Sequence, residues 1–122
     1  MRRQNAETFK EVFGSNKNFM IQKEIGASSW FGFSFVINKN SNIQRKDVVD
    51  HLMKSGVECR PIVAGNFAKN PVVQWFDHEI HADLKNAEWI DNQGFFIGNH
   101  QVPMHDQIKK LKNVFSQFES SL

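Results

Sequence analysis

The stretch WFGFSFVI, from Trp30 to Ile37, constrains the fold more than any other part of the sequence. Its residues fall alternately on two faces, one with Phe31, Phe33, Phe35 and Ile37 and the other with Trp30, Gly32, Ser34 and Val36. Period-two alternation of aromatic and β-branched residues predicts a β-strand. Because the sequence has 12 phenylalanines and no tyrosine, we expect a phenylalanine-rich core.

The composition indicates a single soluble globular domain. A chain of 122 residues can form one hydrophobic core but not two. Its net charge of +2 is too small to indicate binding to nucleic acid or to an anionic membrane. No apolar run approaches the ~20 residues of a membrane span, and the polar start lacks the apolar core of a signal peptide. With one cysteine and no possible intrachain disulfide, a cytoplasmic protein is expected.

Helical and extended patterns alternate along the chain. Helices are predicted at 5–14, 45–56, 71–76, 83–94 and 105–118, further strands at 57–63 and 95–98, and a short extended piece at 19–22. This order predicts an α+β fold, in which helices cover mainly one side of a small sheet of about three strands. We expect one domain over residues 1–122, with 1–14 as the tail of a longer helix and 15–122 as the α+β body.

The histidines and the cysteine do not favour metal or nucleophile chemistry. His78 and His81 lack a cysteine or carboxylate partner at a zinc-ligand spacing, and HEIH is one residue shorter than the H-E-x-x-H signature. Cys59 lies among apolar residues with no sequence cue for a lowered pKa. A buried structural thiol is therefore expected, with no metal ligand and no catalytic residue in this chain.

The stretch GVECRPIVAGNF contains the strongest candidate binding residue, Arg60. An arginine beside a proline in a strand is not easily the partner of an ordinary surface ion pair, and its planar guanidinium suits a diphosphate or a carboxylate. Gly65 lets backbone approach a ligand closely, and Asn66 offers an amide. In the alternative interpretation, Arg60 caps a helix or packs its stem on Trp75.

Three segments together resemble the C-terminal small domain of the sugar-nucleotide aminotransferase and 3-dehydratase family: SSWFGFSFVI, RKDVVDHLMKSGVECRPIVAGNFAKNPVVQ and ADLKNAEWIDNQGFFIGNHQVPMHDQIKKLKNVFSQF. These fold-type I enzymes use pyridoxal or pyridoxamine phosphate. RPIVAGN together with GFFIGNH resembles the 3-dehydratase branch of deoxysugar biosynthesis, which removes the C3 hydroxyl of an NDP-4-keto-6-deoxyhexose. An aminotransferase acting on the same sugars, or a non-catalytic module that binds a sugar nucleotide or a partner, are the alternatives.

The resemblance implies that this chain is a fragment of a longer, homodimeric enzyme. The missing N-terminal large domain would carry the cofactor site and the catalytic lysine or histidine, so no cofactor is expected on this chain alone. Arg60, Gly65, Asn66 and His100 would then contribute to the substrate pocket, with Arg60 on a phosphate or sugar oxygen and Gly65 leaving room for the sugar. Four aromatic residues are expected on the face toward the large domain: Trp30, Phe67, Trp75 and Phe76.

Overall fold

Four strands form one antiparallel sheet in the computed structural model, which describes residues 1–122. In chain order they are β1 (Phe19–Ile21), β2 (Gly32–Ile37), β3 (Cys59–Pro61) and β4 (Gly94–Gly98). Their spatial order is β1-β2-β4-β3, so β2 and β4 are central and β3 is an edge strand. The sequence predicted about three strands; the fourth is β1, at the short extended piece predicted for 19–22, which pairs with β2.

Helices connect the strands as the sequence predicted. They are α1 (Arg2–Phe13), α2 (Arg45–Lys54), α3 (Lys85–Gln93), α4 (His105–Glu119) and two 3-10 helices, Phe67–Lys69 and Pro71–Trp75. Asn70 caps the second 3-10 helix, because its side chain accepts a hydrogen bond from the Val72 N–H at 3.0 Å. The predicted α+β class is therefore confirmed. None of the helices combines the length and apolar character needed to cross a bilayer.

Phenylalanine side chains fill the space between the sheet and three of the helices. Phe9 of α1 stacks on Phe33 of β2 with ring centroids 4.3 Å apart. Phe115 of α4 lies 4.9 Å from both Phe35 and Phe19. Such aromatic pairs add about 0.5–1.5 kcal/mol each beyond the burial of their area. Helices α1, α2 and α4 all contribute to this core, so one face of the sheet is covered.

The opposite face of the sheet is only partly covered. Helix α3 contributes no residue to the core and contacts β2 and β4 from the other side. Its Trp89 donates an indole hydrogen bond to the carbonyl of Ile37 at 2.9 Å, which fixes α3 at one end of β2. Toward the start of β2, Phe96 is half-buried and Phe31 is exposed, with ring centroids 6.3 Å apart.

Two strand boundaries differ from the prediction. Strand β2 begins at Gly32, so Phe31 is 70% exposed rather than in the core. Trp30, predicted to be an exposed aromatic residue, is 1% exposed and has a left-handed φ of 52°. Its carbonyl accepts a hydrogen bond from Asn99, a partner that local periodicity does not reveal. Strand β3 covers only part of the predicted 57–63, because the chain turns soon after Pro61.

We expect Phe35→Ala to lower the free energy of unfolding by about 3–5 kcal/mol, since it leaves a cavity among several aromatic rings. Phe35→Leu should have a smaller effect. Phe31→Ala, at an exposed position, should stay within about 0.5 kcal/mol of the parent chain. Urea denaturation of the three variants measures these differences, and equal losses at the two positions would contradict the assignment of the core face.

Candidate substrate-binding site

Arg60 lies on the edge strand β3, on the sheet face away from the phenylalanine core. It is the register partner of Phe96 in β4, and its side chain is 67% exposed. Its Nε and Nη2 both donate to Oε1 of Glu58, at 3.1 and 2.6 Å. The prediction that Arg60 is unsuited to a surface ion pair is therefore wrong. Residues two apart in an extended segment project to the same face, which brings Glu58 within reach.

The pairing with Glu58 leaves Arg60 able to exchange partners. Both side chains are mostly exposed, and an ion pair in water contributes only about 0–1 kcal/mol. A charge-assisted hydrogen bond to a less solvated phosphate or carboxylate is worth about 1.5–3 kcal/mol. Glu58 therefore orients the guanidinium weakly, and a ligand anion can displace it.

Gly65 packs against the last turn of α3. A Cβ added to Gly65 would lie 2.7 Å from the backbone nitrogen of Asp91 and closer still to its Cα. Backbone atoms cannot yield as the end of a flexible side chain can, so either the loop or α3 would have to move. Packing alone thus accounts for this glycine, and its role in leaving room for a sugar stays a prediction.

Asn66 begins the first 3-10 helix. Its Oδ1 accepts a hydrogen bond from the Ala68 N–H at 3.2 Å, so the oxygen acts as a helix cap. The amide nitrogen makes no hydrogen bond within the chain and remains a possible donor to a ligand. Gly65 and Asn66 line a cavity of about 590 Å³ with mainly apolar walls, to which Phe67 and Phe76 contribute.

His100 is exposed and follows β4, but its backbone is firmly held. Nδ2 of the buried Asn5 lies 3.0 Å from the His100 carbonyl and 2.9 Å from the Val102 carbonyl, and donates to both. The side-chain oxygen of Asn5 accepts a hydrogen bond from the Met104 N–H at 3.1 Å. The imidazole therefore projects from a loop whose position is set by α1.

Asn99 completes this arrangement and was not identified from the sequence. Its Oδ1 accepts a hydrogen bond from Asn5 at 3.0 Å, and its Nδ2 donates to the carbonyls of Arg2 at 3.0 Å and Trp30 at 2.8 Å. Both asparagines are 4% exposed. A signal was present, because Asn5 lies one helical turn before Phe9 on the apolar stripe of α1, where a buried amide needs a hydrogen-bond partner.

The four candidate residues do not line a common cavity. Gly65 and Asn66 lie at the cavity beside the start of β4, Arg60 lines a separate cavity of about 470 Å³, and His100 lines neither. Strand β4 separates the Gly65 contact with α3 from His100, a distance of ~14 Å at the usual rise per residue. One small group cannot touch all four, whereas an elongated ligand can reach several.

Cys59 is half-buried rather than buried, because β3 lies at the edge of the sheet. Burial raises the pKa of the Cys59 thiol to about 11, and the negative charge of Glu58 adds to the effect. Its Sγ lies 3.6 Å from the Val57 carbonyl, to which it donates a weak hydrogen bond. A thiol with a raised pKa is a poor nucleophile at neutral pH, so Cys59 has a structural environment.

The histidines do not gather into a metal centre. His78 and His81 are both exposed, and Nδ1 of His78 lies 2.9 Å from the carbonyl of Phe76. No three histidine, cysteine, aspartate or glutamate side chains come together in a metal-ligating group.

Comparison with known proteins identifies the class. A model of the DegT/DnrJ/EryC1/StrS aminotransferase family matches residues 1–116. The chain therefore belongs to this family, and the resemblance seen in the sequence motifs is confirmed.

Particular relatives are similar along nearly the whole chain. It is 48% identical over 115 residues to the GDP-4-keto-6-deoxy-D-mannose 3-dehydratase of Escherichia coli O55:H7, which covers 93% of this chain and 30% of the relative. The same-named protein of Yersinia pseudotuberculosis is 48% identical over 118 residues, 96% of this chain and 30% of the relative. A crystal structure of GDP-4-keto-6-deoxymannose-3-dehydratase with a trapped PLP-glutamate geminal diamine matches with a TM-score of 0.89 and 48% identity, over 93% of this chain and 30% of that one. The chain thus spans about 30% of the length of these relatives.

We expect Gly65→Ala to lower the free energy of unfolding by about 1–3 kcal/mol, since its Cβ would overlap the backbone of Asp91. Gly98→Ala is the matched control, because its Cβ would meet nothing nearer than Nε2 of His100 at 3.8 Å. Chemical denaturation of both variants measures the difference. If Gly65→Ala were as stable as Gly98→Ala, the packing explanation for this glycine would be wrong.

The raised pKa of Cys59 should be visible in its reactivity. In the folded chain, alkylation by iodoacetamide should rise toward pH 11, whereas the denatured chain should react from about its ordinary pKa of 9.0. Because the unfolded thiol ionises first, stability from this group is complete below pH 9.0 and is lost as the pH rises toward 11. Mass spectrometry of timed reactions gives both profiles, and coincident profiles would contradict the burial effect.

Proposed function

We propose that this chain is the C-terminal small domain of a pyridoxal phosphate-dependent 3-dehydratase that acts on a GDP-linked 4-keto-6-deoxyhexose. The supporting observation is the 48% identity over 93% of the chain to a protein named for that reaction. In this proposal residues 1–14 are the tail of an interdomain helix, residues 15–122 form the small domain, and the whole enzyme is a homodimer. The chain supplies substrate contacts, and the rest of the enzyme supplies the catalytic base.

The residues present do not form a pyridoxal phosphate site by themselves. The cavity beside Gly65 and Asn66 has no lysine or arginine on its wall, while a phosphate needs cationic or clustered N–H donors. In enzymes that bind it, this cofactor supplies an electron sink for carbanion chemistry. The proposed contribution of this chain is accordingly limited to holding the nucleotide sugar.

Each candidate residue has a role that its geometry permits. Arg60 would exchange Glu58 for a phosphate or sugar oxygen, at little cost because the existing pair is solvated. Asn66 would donate its unused amide N–H groups, and the backbone at Gly65 would approach the sugar. His100 would contact a more distant part of the ligand from the loop after β4. Their separation suits the length of a nucleotide sugar.

An aminotransferase acting on the same class of sugar is the second candidate. The observation that favours it is the description of the matching family, which names aminotransferases. The lysine or histidine that would decide between the two reactions is not among the candidate residues of this chain. Sequencing upstream of Met1 would decide, since a contiguous large-domain reading frame would contain that residue.

We expect Arg60→Lys in the full-length enzyme to weaken substrate binding about tenfold to a hundredfold. Lysine keeps the charge but loses the planar two-pronged contact, worth roughly 1.5–3 kcal/mol. Folding should change little, because the side chain is exposed. Calorimetric titration with the GDP-sugar and an unfolding curve measure the two effects.

Two further variants act as controls for Arg60. Glu58→Gln removes the competing carboxylate and should leave binding unchanged or tighter. Cys59→Ser should reduce stability and leave binding by the folded fraction unaffected. Should Arg60→Lys unfold the chain while folded molecules bind normally, the arginine is structural and the site assignment fails.

A further inference from the structure

The segment between β3 and α3 exposes a concentration of apolar side chains. Of the thirteen exposed large hydrophobic residues in the chain, six lie within residues 63–80: Val63, Phe67, Val72, Trp75, Phe76 and Ile80. Trp75 alone is 78% exposed. Phe67, Phe76 and Ile80 line the same cavity, so this set, called here the 63–80 surface, is a surface patch and not a series of isolated residues.

The 63–80 surface is held in shape by contacts of its own. Asn66 and Asn70 cap the two 3-10 helices within it. Lys69 forms an ion pair with Glu88 of α3 at 2.9 Å, and Val73 points inward, 9% exposed. These contacts fix the backbone while the aromatic rings remain in solvent. A surface that is ordered but uncovered is suited to binding a partner with little further loss of conformational entropy.

We propose that the 63–80 surface is an interface with polypeptide of the same protein that lies outside this chain. This inference rests on the proposed function only in taking the chain to be part of a longer enzyme of this family. The chain spans 30% of the length of relatives that match it almost from end to end. More than twice as much polypeptide is therefore present in those relatives to cover an exposed surface.

The chemistry of the 63–80 surface favours an apolar protein partner. Charged groups beside it are paired within the chain, as Lys69 is with Glu88 and Lys85 is with Asp83 at 2.7 Å. No excess of positive charge remains there to attract nucleic acid or an anionic membrane. An exposed tryptophan flanked by aromatic residues is typical of the centre of a protein interface.

The position of the surface links it to the proposed substrate residues. Gly65 and Asn66 lie within the same segment and line the same cavity as Phe67 and Phe76. Polypeptide covering the 63–80 surface would therefore also close one side of that cavity. This would provide the second wall that a ligand pocket needs to exclude water.

The test compares the same substitutions in two contexts. One is the 122-residue chain, and the other is a full-length chimera in which this chain replaces the matching 30% of the Escherichia coli relative. Trp75→Ser and Phe76→Ser probe the surface. Ile25→Ser is the matched control, because Ile25 is 90% exposed and lies outside the segment.

The two contexts should give opposite results. Hydrogen exchange of residues 63–80 should slow by about tenfold or more in the chimera relative to the chain. Trp75→Ser and Phe76→Ser should lower the unfolding temperature of the chimera and leave that of the chain unchanged, while Ile25→Ser should affect neither. A second chimera that carries only residues 63–80 of this chain provides the same comparison if the first does not fold.

Two outcomes would overturn the proposal. The first is an equal exchange rate in both contexts, with no effect of the serine substitutions on either chimera. The second is a dimer of the isolated chain in sedimentation experiments that Trp75→Ser dissociates while the chimera is unaffected, which would assign the surface to a second copy. Dehydratase activity of the chimera is measured separately, so the interface and the proposed function can fail independently.

Discussion

The side-chain amides of Asn5 and Asn99 meet at 3.0 Å between α1 and the end of β4, beside a core that is otherwise apolar. Their hydrogen bonds reach the carbonyls of Arg2, Trp30 and His100, so three separate segments depend on one pair. Removing one partner would leave buried polar groups unsatisfied at about 1–3 kcal/mol. The pair therefore fixes the exit of β4, and with it the loop from which the candidate ligand residue His100 projects.

The phenylalanine core decides which face of the sheet is available for function. Because Phe33 and Phe35 point toward α1 and α4, the alternation of each strand sends Arg60 and its register neighbour Phe96 to the other side. Helix α3 covers only part of that side. The candidate arginine thus lies on the free face because of how the core packs, and no local feature of β3 is needed to place it there.

The sequence predicted those parts of the fold that depend on periodicity and missed those that depend on distant contacts. Alternation placed Phe33 and Phe35 correctly, but it could not show that Asn99 holds Trp30 in a left-handed conformation and leaves Phe31 outside the strand. The amide of Asn5 on the apolar stripe was a readable signal. At the candidate site, the ion pair from Glu58 to Arg60 could have been predicted from their spacing. The close approach of Gly65 to Asp91 could not, since it joins a loop to a helix many residues later.

The exposed aromatic residues and the candidate binding residues belong to one structural problem. Covering a side chain the size of Phe67 or Phe76 with apolar atoms is worth about 1.5–3 kcal/mol, and the chain leaves both at its surface. The caps at Asn66 and Asn70 hold them there instead of letting the segment collapse inward. The same cap uses the Asn66 oxygen and leaves its amide N–H groups facing a cavity open on one side. An ordered surface next to a half-built cavity is the arrangement expected where one polypeptide surface supplies both the contact between domains and one wall of a ligand pocket.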